Sequence, residues 1–262
     1  FRTDLPKTKG KNGWKVRGVR NKMELVEKIS IWIRKVVHQA KAEGVVVGLS
    51  GGIDSSVVAC LAKKALGEKI LGVIMPCYSS AIDEDYARLI AKMLKIKIEH
   101  VSLNSIYDSI LGVLPGGKKM ALANLKPRLR MLILYYFANS LNYLVAGTGN
   151  KSEVLIGYFT KYGDGGCDIL PLGDLLKTEV RELARELRIP KEIIERVPSA
   201  GLWENQTDEG EIGITYEELD GIIMAIESNQ KSSVSAGALA RVEELMRESV
   251  HKRSPALAFK KS

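Results

Sequence analysis

The chain has 262 residues, enough for one α/β domain with a well-buried core and too few for two full catalytic domains. Its formal charge of +8 is spread along the chain without the aromatic interleaving of a nucleic-acid surface, so small phosphorylated ligands suffice as the anionic target. Cys60, Cys77 and Cys167 are too few and too scattered for a disulfide framework or a zinc cluster and fit a reducing cytoplasm, and the longest apolar run, residues 131–147, is interrupted by Asn139, Ser140 and Asn142, which argues against a membrane span.

Residues 1–21 carry Lys7, Lys9, Lys11, Lys15, Arg17 and Arg20 without apolar periodicity and read as a basic, flexible leader. A start at Phe1 points to an incomplete N-terminus, and residues 22–262 read as a single domain. Leu25, Ile29, Trp32, Ile33, Val36, Val37 and Ala40 recur at helical spacing, and Gly44 closes that helix before an apolar strand over residues 45–49. A glycine-rich turn and a helix follow. Strands are then expected at residues 70–75, 96–101 and 143–146, with helices at 82–94 and 125–141 between them. This alternation predicts an α/β fold, an open parallel sheet of the five-stranded type with helices on both faces. Ligands of such sheets lie beyond the carboxyl ends of the strands, where Ser50 and Thr148 fall.

Residues 157–171 form a loop rich in glycine and charge, the composition of a binding loop. Helical periodicity returns over residues 175–187, and Pro190 opens a shorter helix. Residues 198–213, with Glu204, Asp208, Glu209 and Glu211 in the middle, read as an active-site lid. Extra C-terminal helices over residues 216–249 lead to His251-Lys252-Arg253.

The turn after the first strand, Ser50-Gly51-Gly52-Ile53-Asp54-Ser55-Ser56, carries the chemistry. Adjacent glycines let the backbone approach an anion, the following helix aims free N–H groups at it, and Ser50, Ser55 and Ser56 add hydroxyl donors. Asp54 beside a phosphate requires a divalent cation between them, so the loop predicts Mg²⁺ together with a polyphosphate. No Lys follows a glycine at the spacing of a Walker A motif.

Ser-Gly-Gly-x-Asp-Ser after a strand resembles the pyrophosphate loop of the ATP pyrophosphatases, which cleave ATP between its α- and β-phosphates to adenylate a substrate. Downstream, Asn124-Leu125-Lys126-Pro127-Arg128-Leu129-Arg130-Met131, Gly147-Thr148 with Glu153, Phe159-Thr160-Lys161-Tyr162-Gly163-Asp164-Gly165-Gly166, Asp168-Ile169-Leu170-Pro171-Leu172 and His251-Lys252-Arg253 together resemble the NAD synthetase family. The resemblance spans most of the chain. It implies amidation of deamido-NAD by ammonia to NAD through an acyl-adenylate, with ATP as co-substrate and AMP and pyrophosphate released, in a cytoplasmic homodimer whose dinucleotide lies near the subunit interface. Helix residues 131–142 are the candidate interface, with burial inside the monomer as the alternative.

Carried over residue by residue, the resemblance places ATP on Gly48, Leu49, Ser50, Gly51, Gly52, Ile53, Asp54, Ser55, Thr148, Lys177 and Ser199, with Asp54 and Glu153 as Mg²⁺ ligands. Ser199 stands where relatives often carry Thr. Arg128, Lys161, Asp168, His251 and Lys252 would contact deamido-NAD. Asp54 and Lys177 are the expected catalytic groups, and Asp164 is a candidate for taking a proton from ammonium or steering ammonia. Pro127 and Cys167 depart from the family pattern without removing a functional side chain. A glutamine-using relative needs an additional amidase domain for which the length leaves no room, so ammonia arrives free or from a partner. A pyrophosphatase acting on a xanthine nucleotide is the nearest enzymatic rival, and a nucleotide-sensing module without turnover is the rival of another class. Amidation of one acid rather than the other, or binding without pyrophosphate release, separates the three.

Overall fold

The computed structural model describes residues 22–228 and 235–260. The basic leader expected over residues 1–21 lies outside them.

Helix α1, Lys22–Gln39, buries Val26, Ser30, Ile33 and Val37 on one face and leads into β1, Gly44–Gly48. Then come α2 (Ile53–Leu66), β2 (Ile70–Ile74), α3 (Ala81–Leu94) and β3 (Lys97–His100). Helices α4 (Asn104–Val113) and α5 (Lys119–Ala123) precede the long α6 (Leu125–Leu141) and β4 (Tyr143–Ala146). The remainder is helical: α7 (Lys151–Ile156), α8 (Lys177–Glu186), α9 (Lys191–Ile194), α10 (Asp208–Ile212), α11 (Tyr216–Ser228), α12 (Ala236–Glu248) and α13 (Val250–Arg253).

The strands form one parallel sheet in the order β3-β2-β1-β4, with Val45 opposite both Ile70 and Leu144. Strand order reverses at β1, so the turns after β1 and β4 open side by side at the carboxyl edge, where a doubly wound sheet leaves a crevice. Central β1 and β2 are almost wholly buried and read as apolar runs, as parallel strands covered on both faces must. One face packs against α1, α2, α3 and α8 through Ile33, Val57, Leu61, Ile90 and Leu183; the other packs against α4 and α6 through Leu103, Tyr107, Leu129 and Ala138. A third apolar cluster joins α7, α11 and α12 around Tyr216, Leu219 and Ile223.

Among the described residues the sheet has four strands, not the five expected. After β4 the chain returns to the sheet edge at Ile169 but makes only a single parallel bridge, to Ala146. Two residues explain why it stops. The Asp168 carboxylate accepts the Val145 N–H at 2.8 Å, a side chain taking a donor that a backbone carbonyl would otherwise use, and Pro171 has no N–H to continue the ladder.

The stretch read as a lid also differs from its expectation. Its acidic middle is partly core: Gln206, Asp208 and Ile212 are buried, the last two within α10. Its first part is held by two lysines, Lys126 donating to the Leu202 carbonyl at 2.9 Å and Lys119 lying 4.2 Å from the Trp203 ring centroid. Among the described residues no helix is long and apolar enough to cross a membrane.

Candidate active site

The carboxyl edge of the sheet opens into a cavity of about 540 Å³. Its floor is the turn between β1 and α2. Gly51 adopts φ +78°, and a Cβ there would come within 2.3 Å of the Asp83 carbonyl oxygen, so both backbone conformation and space demand glycine. Gly52 is the extended N-cap of α2 and offers no side-chain cap, which leaves the N–H groups of the first helical turn directed at the cavity. Ser55 Oγ donates to the Gly52 carbonyl at 3.0 Å and sits 3.1 Å from Ser50 Oγ, fixing the turn. Ser56 does not serve as the hydroxyl donor expected of it: it is buried, and its Oγ donates to the Gly52 carbonyl at 2.8 Å.

Asp54, on the first turn of α2, faces Lys177 at the start of α8. Lys177 is 2% exposed and donates to Asp54 Oδ2 at 2.7 Å and to Glu153 Oε1, on α7, at 3.0 Å. Asn150, which caps α7, is fully buried and donates from Nδ2 to Asp54 Oδ1 at 3.0 Å, while its own N–H is taken by Glu153 Oε2. Tyr216, fully buried on α11, hydrogen-bonds Asp208 at 3.0 Å, and its ring centroid lies 4.9 Å from the Lys177 ammonium. Burial alone would depress the lysine, but Asp54 and Glu153 reverse this and hold it above its ordinary range. Glu153 is pushed up to about 7 by burial, against the pull of Lys177. Burial also raises Asp208.

When Asp54, Glu153 and Asp208 are ionised, three carboxylates face one ammonium, and among the described residues Asp208 Oδ1 is buried without a hydrogen-bond partner. Surplus negative charge on hard oxygen donors suits a divalent cation. Among the described residues no group of three His, Cys, Asp or Glu is arranged to hold a metal alone.

The cavity wall brings together most of the sequence-predicted ATP contacts: Gly48, Leu49, Ser50, Gly52, Ile53, Asp54, Ser55, Thr148, Lys177 and Ser199 all line it, while Gly51 does not. Asp164 and Lys252 line it as well. Asp164 keeps solvent contact as a residue, yet its carboxylate is enclosed by neighbouring atoms, which raises its pKa, and Oδ1 accepts the Thr160 N–H at 2.9 Å. Lys252 reaches back to the carbonyls of Gly157 and Phe159 at 2.8 and 3.0 Å. The other predicted dinucleotide contacts stand outside the wall. Arg128 donates to the Lys161 carbonyl at 3.3 Å, Lys161 to the His251 carbonyl, and Asp168 accepts from Tyr135 and Val145.

The NAD synthase family model matches residues 25–256. The chain belongs to the NAD synthase family. It is 52% identical over 235 residues to the NH(3)-dependent NAD(+) synthetase of Carboxydothermus hydrogenoformans, covering 88% of this chain and 94% of that protein. The corresponding enzyme of Methanococcus aeolicus is 54% identical over 214 residues, covering 79% and 84%. Among solved structures, an NMN synthetase from Francisella tularensis superposes with a TM-score of 0.86 at 39% identity, covering 92% of this chain and 99% of that one. An NH3-dependent NAD synthetase from Campylobacter jejuni does so with a TM-score of 0.81 at 30% identity, covering 92% and 100%. The activity is therefore the ATP-dependent amidation of deamido-NAD by ammonia to form NAD, with ATP as a substrate.

Sequence reasoning missed Asn150, Asp208 and Tyr216. Asn150 caps α7 and its amide reaches Asp54 across 96 residues of chain, a contact that sequence spacing does not show. Asp208 and Tyr216 meet Asp54 and Glu153 only through the fold.

Proposed function

We propose that one subunit binds ATP with its phosphates on the turn from Ser50 to Ser55, its metal on Asp54 and Glu153, and Lys177 on the leaving pyrophosphate. The supporting observation is the buried Lys177 bridging those two carboxylates beside the N-terminus of α2. Mg²⁺, bound by Asp54 and Glu153, would supply charge neutralisation for the phosphates. Lys177 uses two of its three N–H donors on the carboxylates and keeps one for a phosphate oxygen. Thr148 and Ser199 contribute hydroxyls to the same ligand.

In the first step an oxygen of the nicotinate carboxylate forms a bond to the α-phosphorus. The bond from that phosphorus to the bridging oxygen breaks, and pyrophosphate leaves with the electron pair. In the second step the ammonia nitrogen attacks the acyl carbon, the carbon–oxygen bond to phosphate breaks, and AMP leaves. Asp164 takes the proton lost from nitrogen, for which its raised pKa suits it. A bare carboxylate resists ammonia because its leaving group is poor; the adenylate supplies a good one.

Arg128, Lys161, Asp168, His251 and Lys252 hold deamido-NAD. Four of these stand off the cavity wall, and α6 beside them exposes Leu132 and Tyr136 at 61% and 63%, which supports a homodimer completing the dinucleotide site. Three unbonded thiols and an ATP substrate support a cytoplasmic location. The test is to incubate the chain with ATP, Mg²⁺ and ammonium and offer deamido-NAD, nicotinic acid mononucleotide or xanthosine monophosphate. Preferential amidation of deamido-NAD, lost when Mg²⁺ is chelated, is the expected result. Preference for the mononucleotide would align the chain with the Francisella enzyme instead, and turnover without a divalent cation would reject the metal assignment.

A further inference from the structure

Four cationic side chains line the cavity: Arg130, Lys177, Arg196 and Lys252. Lys177 is neutralised by Asp54 and Glu153, and Arg196 by Asp83 at 2.6 Å. Lys252 spends its donors on two carbonyls. Arg130, on α6, is different. Its Nε donates to the Met75 carbonyl at 3.2 Å and its Nη2 to Ser79 Oγ at 3.3 Å, and among the described residues it forms no ion pair. Of five guanidinium N–H donors, two are used.

A guanidinium withdrawn from solvent with no carboxylate in direct contact is costly, and burial depresses this one below its ordinary range against the pull of Cys77, Asp164 and Asp83. A protein retains such a charge where a ligand supplies the counter-charge. Its neighbours indicate which ligand. Met75 and Ser79 lie past the end of β2, next to the phosphate turn of β1, and Asp164, in the loop after β4, and Asp83, in the first turn of α3, lie within electrostatic range. Arg130 therefore shares the cavity wall with both the ATP turn and the loop proposed to serve amide formation.

The chemistry there has a specific electrostatic difficulty. In the first step an anionic carboxylate must approach an anionic α-phosphoryl group, and mutual repulsion opposes contact before any bond forms. We infer that Arg130 is a catalytic residue of the first half-reaction, its free N–H donors spanning the attacking carboxylate and the α-phosphoryl oxygens so that the two anions can meet. Its planar, multi-donor head suits two oxygen ligands at once, which an ammonium cannot match. No proton is transferred. The carboxylate oxygen–phosphorus bond forms, the bond to the bridging oxygen breaks, and the negative charge departs on pyrophosphate. The second half-reaction joins a neutral nucleophile to an acyl carbon and does not need this neutralisation.

The inference rests on the nucleotide placement proposed above, and the two fail differently. Arg130→Met and Arg130→Lys are compared with the wild type in two single-turnover measurements on the full chain with Mg²⁺: pyrophosphate released from ATP and deamido-NAD without ammonium, and NAD formed from pre-made acyl-adenylate with ammonium. Arg130→Met is expected to slow the first by about 100-fold, the size seen when one preorganised donor to developing charge is removed, and to leave the second within about threefold. Arg130→Lys should recover part of the loss. Equal slowing of both steps, or an unchanged first step, overturns the assignment. Should Arg130→Met not fold, Arg130→Lys decides alone: about a tenfold loss confined to the first step supports the role, and equal losses in both reject it. Failure of the nucleotide placement itself would show separately, as unchanged ATP binding when the Ser50–Ser55 turn is altered.

Discussion

The charged groups near the carboxyl edge of the sheet fall into two regions built on different physics. In the inner region Lys177, Asp54, Glu153, Asn150 and Tyr216 are largely enclosed and contact one another directly through side chains from α2, the start of α7, α8 and α11. In the outer region Arg128, Lys161 and His251 donate to or accept through backbone carbonyls and stand off the cavity wall. The inner set is held at fixed separation by its own hydrogen bonds, the kind of arrangement preorganised charge stabilisation requires. The outer set leaves its cationic heads only lightly committed, which suits groups whose partners arrive with the dinucleotide or with a second copy of the chain. The chain thus carries a closely knit inner cluster and a loosely tethered outer one, which the placement proposed above makes the ATP end and the dinucleotide end.

The harshest way to break this contrast is Lys177→Met. It leaves Asp54 and Glu153 facing each other with no cation, and the cost of stranding a buried ion-pair partner is about 3 to 5 kcal/mol, read as a fall in the urea midpoint. Pyrophosphate release should vanish with it. An unshifted midpoint would show that the cluster is not the internally balanced unit described.

Next in size is Asp220→Asn. Asp220, 1% exposed on α11, accepts from Ser152 on α7 and from the Thr178 N–H at 2.8 Å, while Ser152 Oγ accepts the Lys177 N–H at 3.0 Å. It thus locks together the two helices that carry Glu153 and Lys177. The amide should lower kcat by about tenfold with the KM for deamido-NAD nearly unchanged, because one charge-assisted bond positioning the cluster is weakened. Steady-state kinetics at saturating ATP checks this, and a change in KM alone would move Asp220 out of the inner region.

Outer-region variants sharpen the comparison from the other side. Arg128→Ala or His251→Ala should raise the KM for deamido-NAD by about tenfold and leave the ATP KM unchanged, as loss of a contact to a charged ligand does. If the outer residues complete the partner's site, mixing Arg128→Ala with Asp54→Ala subunits should restore part of the activity each lacks alone. Smallest is Tyr216→Phe, which removes one hydroxyl from Asp208 and Glu153 and should cost about 1 kcal/mol in chemical denaturation while activity persists.

What could be read from the chain follows the same division. The β1 turn and α2 were legible because strand, glycine pair and helix are contiguous, and α6 and β4 fall where the expected helix and strand do. Helix α4 was not among the expected elements, although Tyr107, Ile110 and Leu111 give it an apolar face that packs against the sheet. The five-stranded expectation failed at Ile169, where the chain meets the sheet edge in a single bridge and Asp168 and Pro171 remove the ladder partners a further strand would need. Glu153 and Lys177 were nameable through family resemblance, but that Lys177 is pinned between two acids, and that Asp208 and Tyr216 complete the cluster, depends on contacts made across up to 123 residues of chain.

The most direct test of the central claim is a crystal structure with Mn²⁺ and a non-hydrolysable ATP analogue, locating the metal by its anomalous signal. The account predicts the metal on the carboxylates of Asp54 and Glu153, with the β- and γ-phosphates on the turn at Gly51 and Gly52 of the same subunit. A metal away from those carboxylates, or phosphates bound elsewhere in the cavity, would contradict it.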